Sequence, residues 1–270
     1  MVPTLKQINA TEHKTTRINL NIGYPQAANI NHCMITVREF DHGAANFPIV
    51  LVKDDNSDSY SCAAILGLEN GENLFSLERN GSTIWSTTFV PALIARYPFA
   101  LGRLDPLEDD PNTPDMQTMA VCLAEDSRFI SETVGERLFD DAGNETPFFA
   151  QRKQLLGDLV ISQRETEFFA RELQEKGLIT DLEITFTFAS GRVHTLNGLS
   201  TPDRKAVESL TDTEIADLYR KGIISKMCAM AGSLAQMSRL IHLKNSRSDD
   251  KIINISAKTA DMDKAVTNAV

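Results

Sequence analysis

The chain has 270 residues, of which 42% are hydrophobic and 24% charged, and these fractions are ordinary for a folded globular protein. Its 37 acidic residues outnumber the 27 Lys and Arg residues, and the resulting net charge of -10 argues against nucleic acid as the main partner. No stretch reaches the roughly 18 apolar residues of a membrane span. The start of the chain lacks the apolar core of a secretory signal, and the four cysteines form no C-x-x-C pair, so we expect a cytoplasmic protein with free thiols.

The first half of the chain is predicted to be rich in antiparallel β-strands, after a polar leader over residues 1–16. Alternating or short apolar runs predict strands at Ile18–Ile22, Met34–Phe40, Phe47–Lys53, Tyr60–Leu68, Leu74–Glu78, Thr83–Trp85 and Met119–Glu125. Asn80-Gly81 is a typical hairpin turn, and Val90–Tyr97 is predicted as a short helix. Three prolines and several acids predict a loop over residues 105–115. The β-rich region therefore extends over residues 17–130.

The second half, residues 146–243, is predicted to be mostly helical. Thr146 is a suitable N-cap for a long helix that Gly177 ends. Alternation across Ser190-Gly191 predicts one inserted β-hairpin, and Thr211 with Glu214 forms a capping box for a short helix. Residues 244–270 are polar and are predicted to be a mobile tail. The fold class is therefore α+β.

The last predicted helix carries an apolar stripe that includes Met227, Met230 and Met237. Such a stripe is most often part of the core. The alternative is a homodimer surface, because methionine adapts to varied partners and Gly232 permits another helix to come close. The spacing favours the core.

The common catalytic and metal-binding motifs are absent from the sequence. It has no phosphate-binding glycine loop, no G-x-S-x-G elbow, and no histidine pair of the H-E-x-x-H kind. The run Asp54–Asp58 resembles the start of a calcium loop, but Ser59 replaces the required glycine and Ile65 replaces the bidentate glutamate. We therefore expect no metal, no cofactor and no motif-based active site.

Polar residues beside aromatic residues at the ends of predicted elements suggest a ligand-binding pocket. The candidates are Lys53, Glu72, Asn73, Arg96, Tyr97, Arg103 and His194. The alternative is that these side chains serve turns and cover apolar surface. If the chain is instead an enzyme with scattered active-site residues, then Glu72, Arg96, Arg103 and His194 are the candidates.

Several motifs resemble the SapC-like family in order and spacing from about residue 17 to 243. They are Phe47–Lys53, Ala64–Leu68 with Gly71–Phe75, Phe89–Pro91 with Arg96–Phe99, Glu136–Asp140, Thr146–Phe148 and Gly191–Leu199. The family often has an aromatic residue where this chain has Ser200.

The resemblance implies one domain over residues 17–243 and a bacterial origin. The family label derives from surface-layer genetics, and members occur near outer-membrane nutrient receptors and tryptophan-halogenase-like flavoproteins. The resemblance brings no catalytic residues. It therefore implies a binding or accessory protein that serves nutrient uptake or cell-surface assembly, with an unknown protein or small molecule as its partner. An enzyme without a motif and a surface-layer component are the alternatives.

Overall fold

A computed structural model describes residues 4–103, 119–259 and 268–269, and the side chains of Arg103 and of residues 268–269 are outside that description. The predicted loop over residues 105–115 is also outside the described residues. The strands are β1 (Leu5–Gln7), β2 (Arg17–Ile18), β3 (His32–Met34), β4 (Ile49–Lys53), β5 (Tyr60–Ile65), β6 (Ser76–Arg79), β7 (Ser82–Trp85), β8 (Phe99–Arg103), β9 (Met119–Ala124), β10 (Ile130–Ser131), β11 (Glu136–Arg137), β12 (Ile179–Phe188), β13 (Val193–Pro202), β14 (Ile252–Thr259) and β15 (Asn268–Ala269). The α-helices are α1 (Phe40–Gly43), α2 (Ala92–Ala95), α3 (Pro147–Glu175), α4 (Arg204–Glu208), α5 (Asp212–Arg220), α6 (Ile223–Ser233) and α7 (Met237–Arg247).

The predicted α+β class is confirmed, with most strands in the first half and most helical residues in the second. The chain forms two compact units. Unit 1 comprises Met1–Gln26, Glu78–Ile84 and Ala92–Val160, and unit 2 comprises Ala27–Leu77, Trp85–Pro91 and Ile161–Val270. Each unit is assembled from separate segments of the sequence, so the division does not fall at the change from β-rich to helix-rich sequence.

Unit 1 contains two small antiparallel sheets, with strand orders β1-β9-β8 and β10-β2-β11. Its core is a cluster of aliphatic and aromatic side chains, namely Ile18, Phe99, Leu123, Phe129, Leu138, Phe139, Phe149 and Leu156. The ring centroids of Phe139 and Phe149 lie 5.6 Å apart in an edge-to-face arrangement. Such aromatic contacts add to the stabilisation that burial provides.

Unit 2 is built on a seven-stranded sheet with the order β15-β14-β12-β13-β4-β5-β3, in which all neighbours are antiparallel. Strands β12 and β13 form the predicted hairpin, and Gly191 takes the positive φ of +86° that its turn requires. Leu182, Ile184, Phe186 and Phe188 alternate along β12, and all four are buried. This period of two places one face of the strand in the core.

Two predicted strands are shorter in the structure because their polar residues start helical turns instead. Ile18–Ile22 was predicted as one strand, but Asn19 accepts a hydrogen bond from the Asn21 N–H and the chain enters a 3-10 turn at Leu20–Ile22. Met34–Phe40 was also predicted as a strand. There, the side chains of Thr36 and Glu39 form a capping box, and a 3-10 turn at Val37–Glu39 follows β3.

The ends of the described chain are more structured than their polar sequences suggest. Within the predicted leader, β1 pairs with β9. Within the predicted mobile tail, β14 pairs with β12 over most of its length. Ile252 is only 2% exposed, so one well-buried isoleucine anchors a strand whose other side chains are mostly polar. The prediction underestimated this strand because backbone pairing depends little on side-chain polarity.

The last predicted helix, from Ile223 to Ile241, is divided into α6 and α7 by a 3-10 turn at Leu234–Gln236. Ser233 at the junction is 1% exposed, and its hydroxyl accepts a hydrogen bond from the Ile49 N–H at 2.8 Å and donates one to the Met230 carbonyl at 2.6 Å. These bonds compete with regular helical geometry.

The methionine stripe of the last predicted helix is buried within the chain itself, as the core interpretation predicts. Its exposed fractions are at most 5% for Met227, Met230 and Met237. A homodimer through these methionines stays a prediction.

Candidate functional site

The loop that follows β5 in unit 2 is tightly closed. The Leu74 N–H donates to the Leu66 carbonyl at 2.8 Å, and a Cβ atom at Gly67 would lie 2.1 Å from the Glu72 carbonyl oxygen. Glycine is therefore required at position 67, because any side chain would collide with the returning backbone. The closed loop brings Glu69 and Glu72 together.

Lys244 on α7 joins these two acids. Its Nζ atom lies 2.7 Å from Glu69 Oε2 and 2.7 Å from Glu72 Oε1. Lys244 is only 7% exposed, so this is a largely buried ion pair with two carboxylates. The second oxygen of Glu72 accepts the Leu68 N–H at 3.1 Å, which ties the carboxylate to the loop backbone.

Arg192 extends the network from the β12–β13 turn. One of its terminal nitrogens lies 2.7 Å from Glu69 Oε1, and its Nε lies 3.7 Å from Asp250. Asp250 also accepts hydrogen bonds from the backbone and hydroxyl of Ser190. The guanidinium carbon lies 3.7 Å from the ring centroid of Phe188, which is a close cation–π contact. We call Glu69, Glu72, Arg192, Lys244 and Asp250 the Lys244 clamp.

The charges of the Lys244 clamp stabilise one another. Hydrogen bonds from Lys244 and Arg192 lower the pKa of the Glu69 carboxyl to about 2. Burial lowers the pKa of Lys244, but the hydrogen bonds and charges of Glu69 and Glu72 outweigh burial, so that this pKa is raised overall. Both groups are therefore charged at neutral pH, and their attraction connects the loop to α7.

His194 and Asn73, both predicted as ligand-binding residues, also bind the backbone of this region. The Nε2 atom of His194 lies 2.6 Å from the Leu68 carbonyl oxygen, so Nε2 carries the donated proton. Asn73 is 5% exposed, donates to the Ala27 carbonyl at 2.7 Å and accepts the Phe75 N–H at 2.9 Å. The structure thus places Glu72, Asn73 and His194 around one loop.

The other predicted site residues lie elsewhere. Lys53 pairs with Asp58 at 2.6 Å across the β4–β5 turn in unit 2. In unit 1, Arg96 donates to the Phe99 carbonyl at 2.7 Å, and the ring of Tyr97 packs against Phe129 with centroids 5.5 Å apart. Arg103 ends β8, and its side chain is not among those described.

Sequence reasoning did not identify Glu69, Lys244, Arg192 or Asp250 as members of a network. The spacing of the last helix does indicate that Lys244 is buried. The apolar stripe runs from Met237 to Ile241, and position 244 follows on the same face of the helix. A lysine at a buried position predicts a carboxylate partner. The partners themselves are distant in sequence, so only the fold identifies them.

Each of the two units has a cleft within its described residues. The cleft in unit 1 has a volume of about 420 Å³, and Phe139, Phe149 and the ion pair of Glu145 with Lys153 contribute to its lining. The cleft in unit 2 has a volume of about 400 Å³ and is lined mainly by apolar atoms of residues such as Val207, Ile224 and Met227. Among the ligand-binding candidates whose side chains are described, none lines either cleft.

Within the described residues, the side chains of His, Cys, Asp and Glu form no group of three that could hold a metal ion. In the same part of the chain, the helices include none that combines the length and apolarity needed to cross a membrane.

The chain is therefore a mixed α+β protein in which a charged network surrounds a closed loop. A family model described as SapC matches residues 8–240, so the chain belongs to the SapC family. No curated protein and no solved structure gives a significant match.

Proposed function

We propose that this chain is a non-catalytic binding or accessory protein that serves nutrient uptake or cell-surface assembly. The observation that carries the proposal is the Lys244 clamp: Glu72 and His194, two of the four candidates for a scattered active site, are engaged in holding one loop. Glu72 binds both Lys244 and the Leu68 backbone, and His194 binds the Leu68 carbonyl. A general acid or base needs a free atom within hydrogen-bond reach of the substrate. The family label, which derives from surface-layer genetics, supports the cellular role.

The outer edge of the clamp is the proposed recognition surface. The side chains of Glu69, Arg192 and Asp250 are 33%, 45% and 31% exposed, and the network fixes their positions. Charged groups that are already fixed lose little conformational entropy on binding, so they suit recognition. The proposed partner, a protein or a small molecule, contacts this surface.

Affinity capture from the native host, followed by binding measurements with the purified partner, tests this proposal. Arg192→Ala is expected to weaken binding about tenfold, because it removes an exposed charge from the surface. The matched control is Arg220→Ala, which removes an exposed arginine from the end of α5 and should leave affinity unchanged. Equal affinity of wild type and Arg192→Ala for every captured partner would contradict the proposal.

The same purified protein also tests the two alternatives. Ordered sheets in electron micrographs would support a surface-layer component. Turnover of a compound that copurifies with the protein, abolished by His194→Gln, would support an enzyme. Either outcome would replace the proposed binding role.

A further inference from the structure

The cleft of unit 2, bordered by α4 and α6, leaves apolar surface open to solvent and has a volume of about 400 Å³. Among its lining residues, Met227 is only 5% exposed, and Val207 and Ile224 are half-buried. Cys228 and Ala231, which complete the side formed by α6, are both exposed. Sites for small molecules generally have volumes of about 300–1,000 Å³ and are lined mainly by apolar atoms. The cleft therefore has the size and the lining of a site for a small apolar group.

The length of the cleft restricts its occupant. On α6 the lining residues extend from Ile224 to Ala231, which is two helical turns, or about 10 Å at the rise of an α-helix. On the other side, α4 has only five residues, Arg204–Glu208. A docked helix of average length, about 17 Å, would extend past this cleft. A short aliphatic chain, in contrast, fits within it.

The rim of the cleft provides a cation for a head group. Arg204 is the basic residue among those that line the cleft, and its Nε lies 3.5 Å from Glu208 in a pair whose side chains are 93% and 67% exposed. An ion pair so exposed to water is weak, so Arg204 is able to exchange Glu208 for another carboxylate. The acid beside it, Asp203, is already engaged, because its Oδ1 accepts the N–H groups of Lys205 at 2.8 Å and Ala206 at 3.0 Å. The rim therefore favours an anionic head group.

We propose that the cleft between α4 and α6 binds a small carboxylate with an aliphatic chain, such as a medium-chain fatty acid. The chain lies against Val207, Ile224 and Met227, and its carboxylate pairs with Arg204 at the rim. The chain supplies most of the affinity, because its contact with the cleft removes apolar surface of both partners from water. The residues of the Lys244 clamp do not line this cleft, so the site goes beyond the proposed recognition surface.

Isothermal titration calorimetry of the full chain with butyrate, hexanoate and octanoate tests the site. We expect saturable binding whose affinity rises roughly threefold for each added methylene group. Arg204→Gln should weaken the binding of octanoate about fivefold and leave that of 1-octanol unchanged, because only octanoate carries a charge for Arg204. The matched control is Arg220→Gln, which removes an exposed arginine at the end of α5 and should bind octanoate as the wild type does. The absence of saturable octanoate binding, or binding of octylammonium as tight as that of octanoate, would overturn the proposal.

A variant that fills the cleft locates the binding. Ala231→Trp introduces a large side chain from an exposed position of α6, and octanoate affinity should fall at least about tenfold because the chain loses its apolar contacts. Ala235→Trp, at an exposed position outside the cleft, is the control and should bind as the wild type does. If Ala231→Trp fails to fold, the wild type gives the answer, since bound octanoate should slow the alkylation of Cys228 by iodoacetamide. Full octanoate affinity in Ala231→Trp, or an unchanged rate of Cys228 alkylation at saturating octanoate, would show that the ligand does not occupy this cleft.

Discussion

At the scale of single residues, Lys244 is a largely buried charge of unit 2 that bridges two carboxylates. Lys244→Met leaves Glu72 without a cation and leaves Glu69 with Arg192 as its cationic partner. We expect a loss of about 3 kcal/mol in the free energy of unfolding, measured by urea denaturation. The partly exposed carboxylates keep this loss below that of a fully buried pair.

Lys226→Met is the matched control for Lys244→Met. Lys226 approaches Asp41 only to 3.5 Å, and the Asp41 side chain is 77% exposed. A surface pair of this kind contributes about 0.5 kcal/mol. The interpretation of the clamp fails if the two lysine variants lose the same stability. Adding Glu72→Gln to Lys244→Met should restore part of the stability, since it removes one of the two repelling charges.

The lowered pKa of Glu69, about 2 against an ordinary value of 4.5, makes stability depend on pH. For an acid whose pKa is lower in the folded state, the stabilisation is complete above the unfolded value and is lost as pH falls through the folded value. The stability difference between wild type and Glu69→Gln should therefore shrink as pH falls from about 5 to about 2. Urea midpoints across that range, with the exposed Glu183→Gln as control, measure the difference.

At the scale of elements, Ser233 connects the junction of α6 and α7 to β4. Ser233→Ala leaves the buried Ile49 N–H without its acceptor, and such a loss costs about 2 kcal/mol. Ser225→Ala on the same helix removes an exposed hydroxyl bonded to the Gly222 carbonyl and should cost about 0.5 kcal/mol at most. Chemical denaturation of both variants measures the contrast, and equal costs would mean that the Ile49 N–H finds another acceptor.

Strand β14 pairs with β12 in the large sheet, although the sequence predicts a mobile tail at this position. A truncation after Lys251 removes one of the two partners of β12 and leaves a row of unpaired backbone groups at the new edge of the sheet. We expect that variant to aggregate or to lose its cooperative thermal transition. A truncation after Thr259 keeps β14 and should retain the transition. Amide hydrogen exchange along β12 gives an independent measure, and slow exchange there in the shorter variant would show that β14 is dispensable.

At the scale of the whole molecule, the four free cysteines report on global unfolding. Cys228 is exposed, whereas Cys33, Cys62 and Cys122 are buried, and burial raises the pKa of the Cys62 thiol to about 12. A thiol reagent at neutral pH should therefore react rapidly with one cysteine of the native protein and with all four in urea, as mass spectrometry can count. Rapid native labelling of Cys62 would show that the core of unit 2 opens easily.

How much of the molecule could be predicted from its sequence depended on the distance between interacting residues. Local signals gave correct elements: the N-cap Thr146, the capping box of Thr211 with Glu214 and the hairpin around Gly191 all depend on neighbours within a few positions. The prediction of Met34–Phe40 as a strand was wrong because a local capping box at Thr36 outweighs apolar alternation.

The candidate site could be predicted only in part. Glu72, Asn73 and His194 were chosen from sequence, and they do lie around one loop. Lys244 is 172 positions from Glu72, and no periodicity connects such a pair. The roles of these residues also depend on what each polar atom binds, which composition and spacing do not encode.

The order of strands in the large sheet limits when this protein can fold during its synthesis. Strand β12 lies between β13 and β14, so its second edge stays open until residue 259 has left the ribosome. Until then, the nascent chain presents a strand with one open edge to the solvent. Chaperones or slow translation before the last strand would protect it, and overproduction at high temperature should favour aggregates over soluble protein.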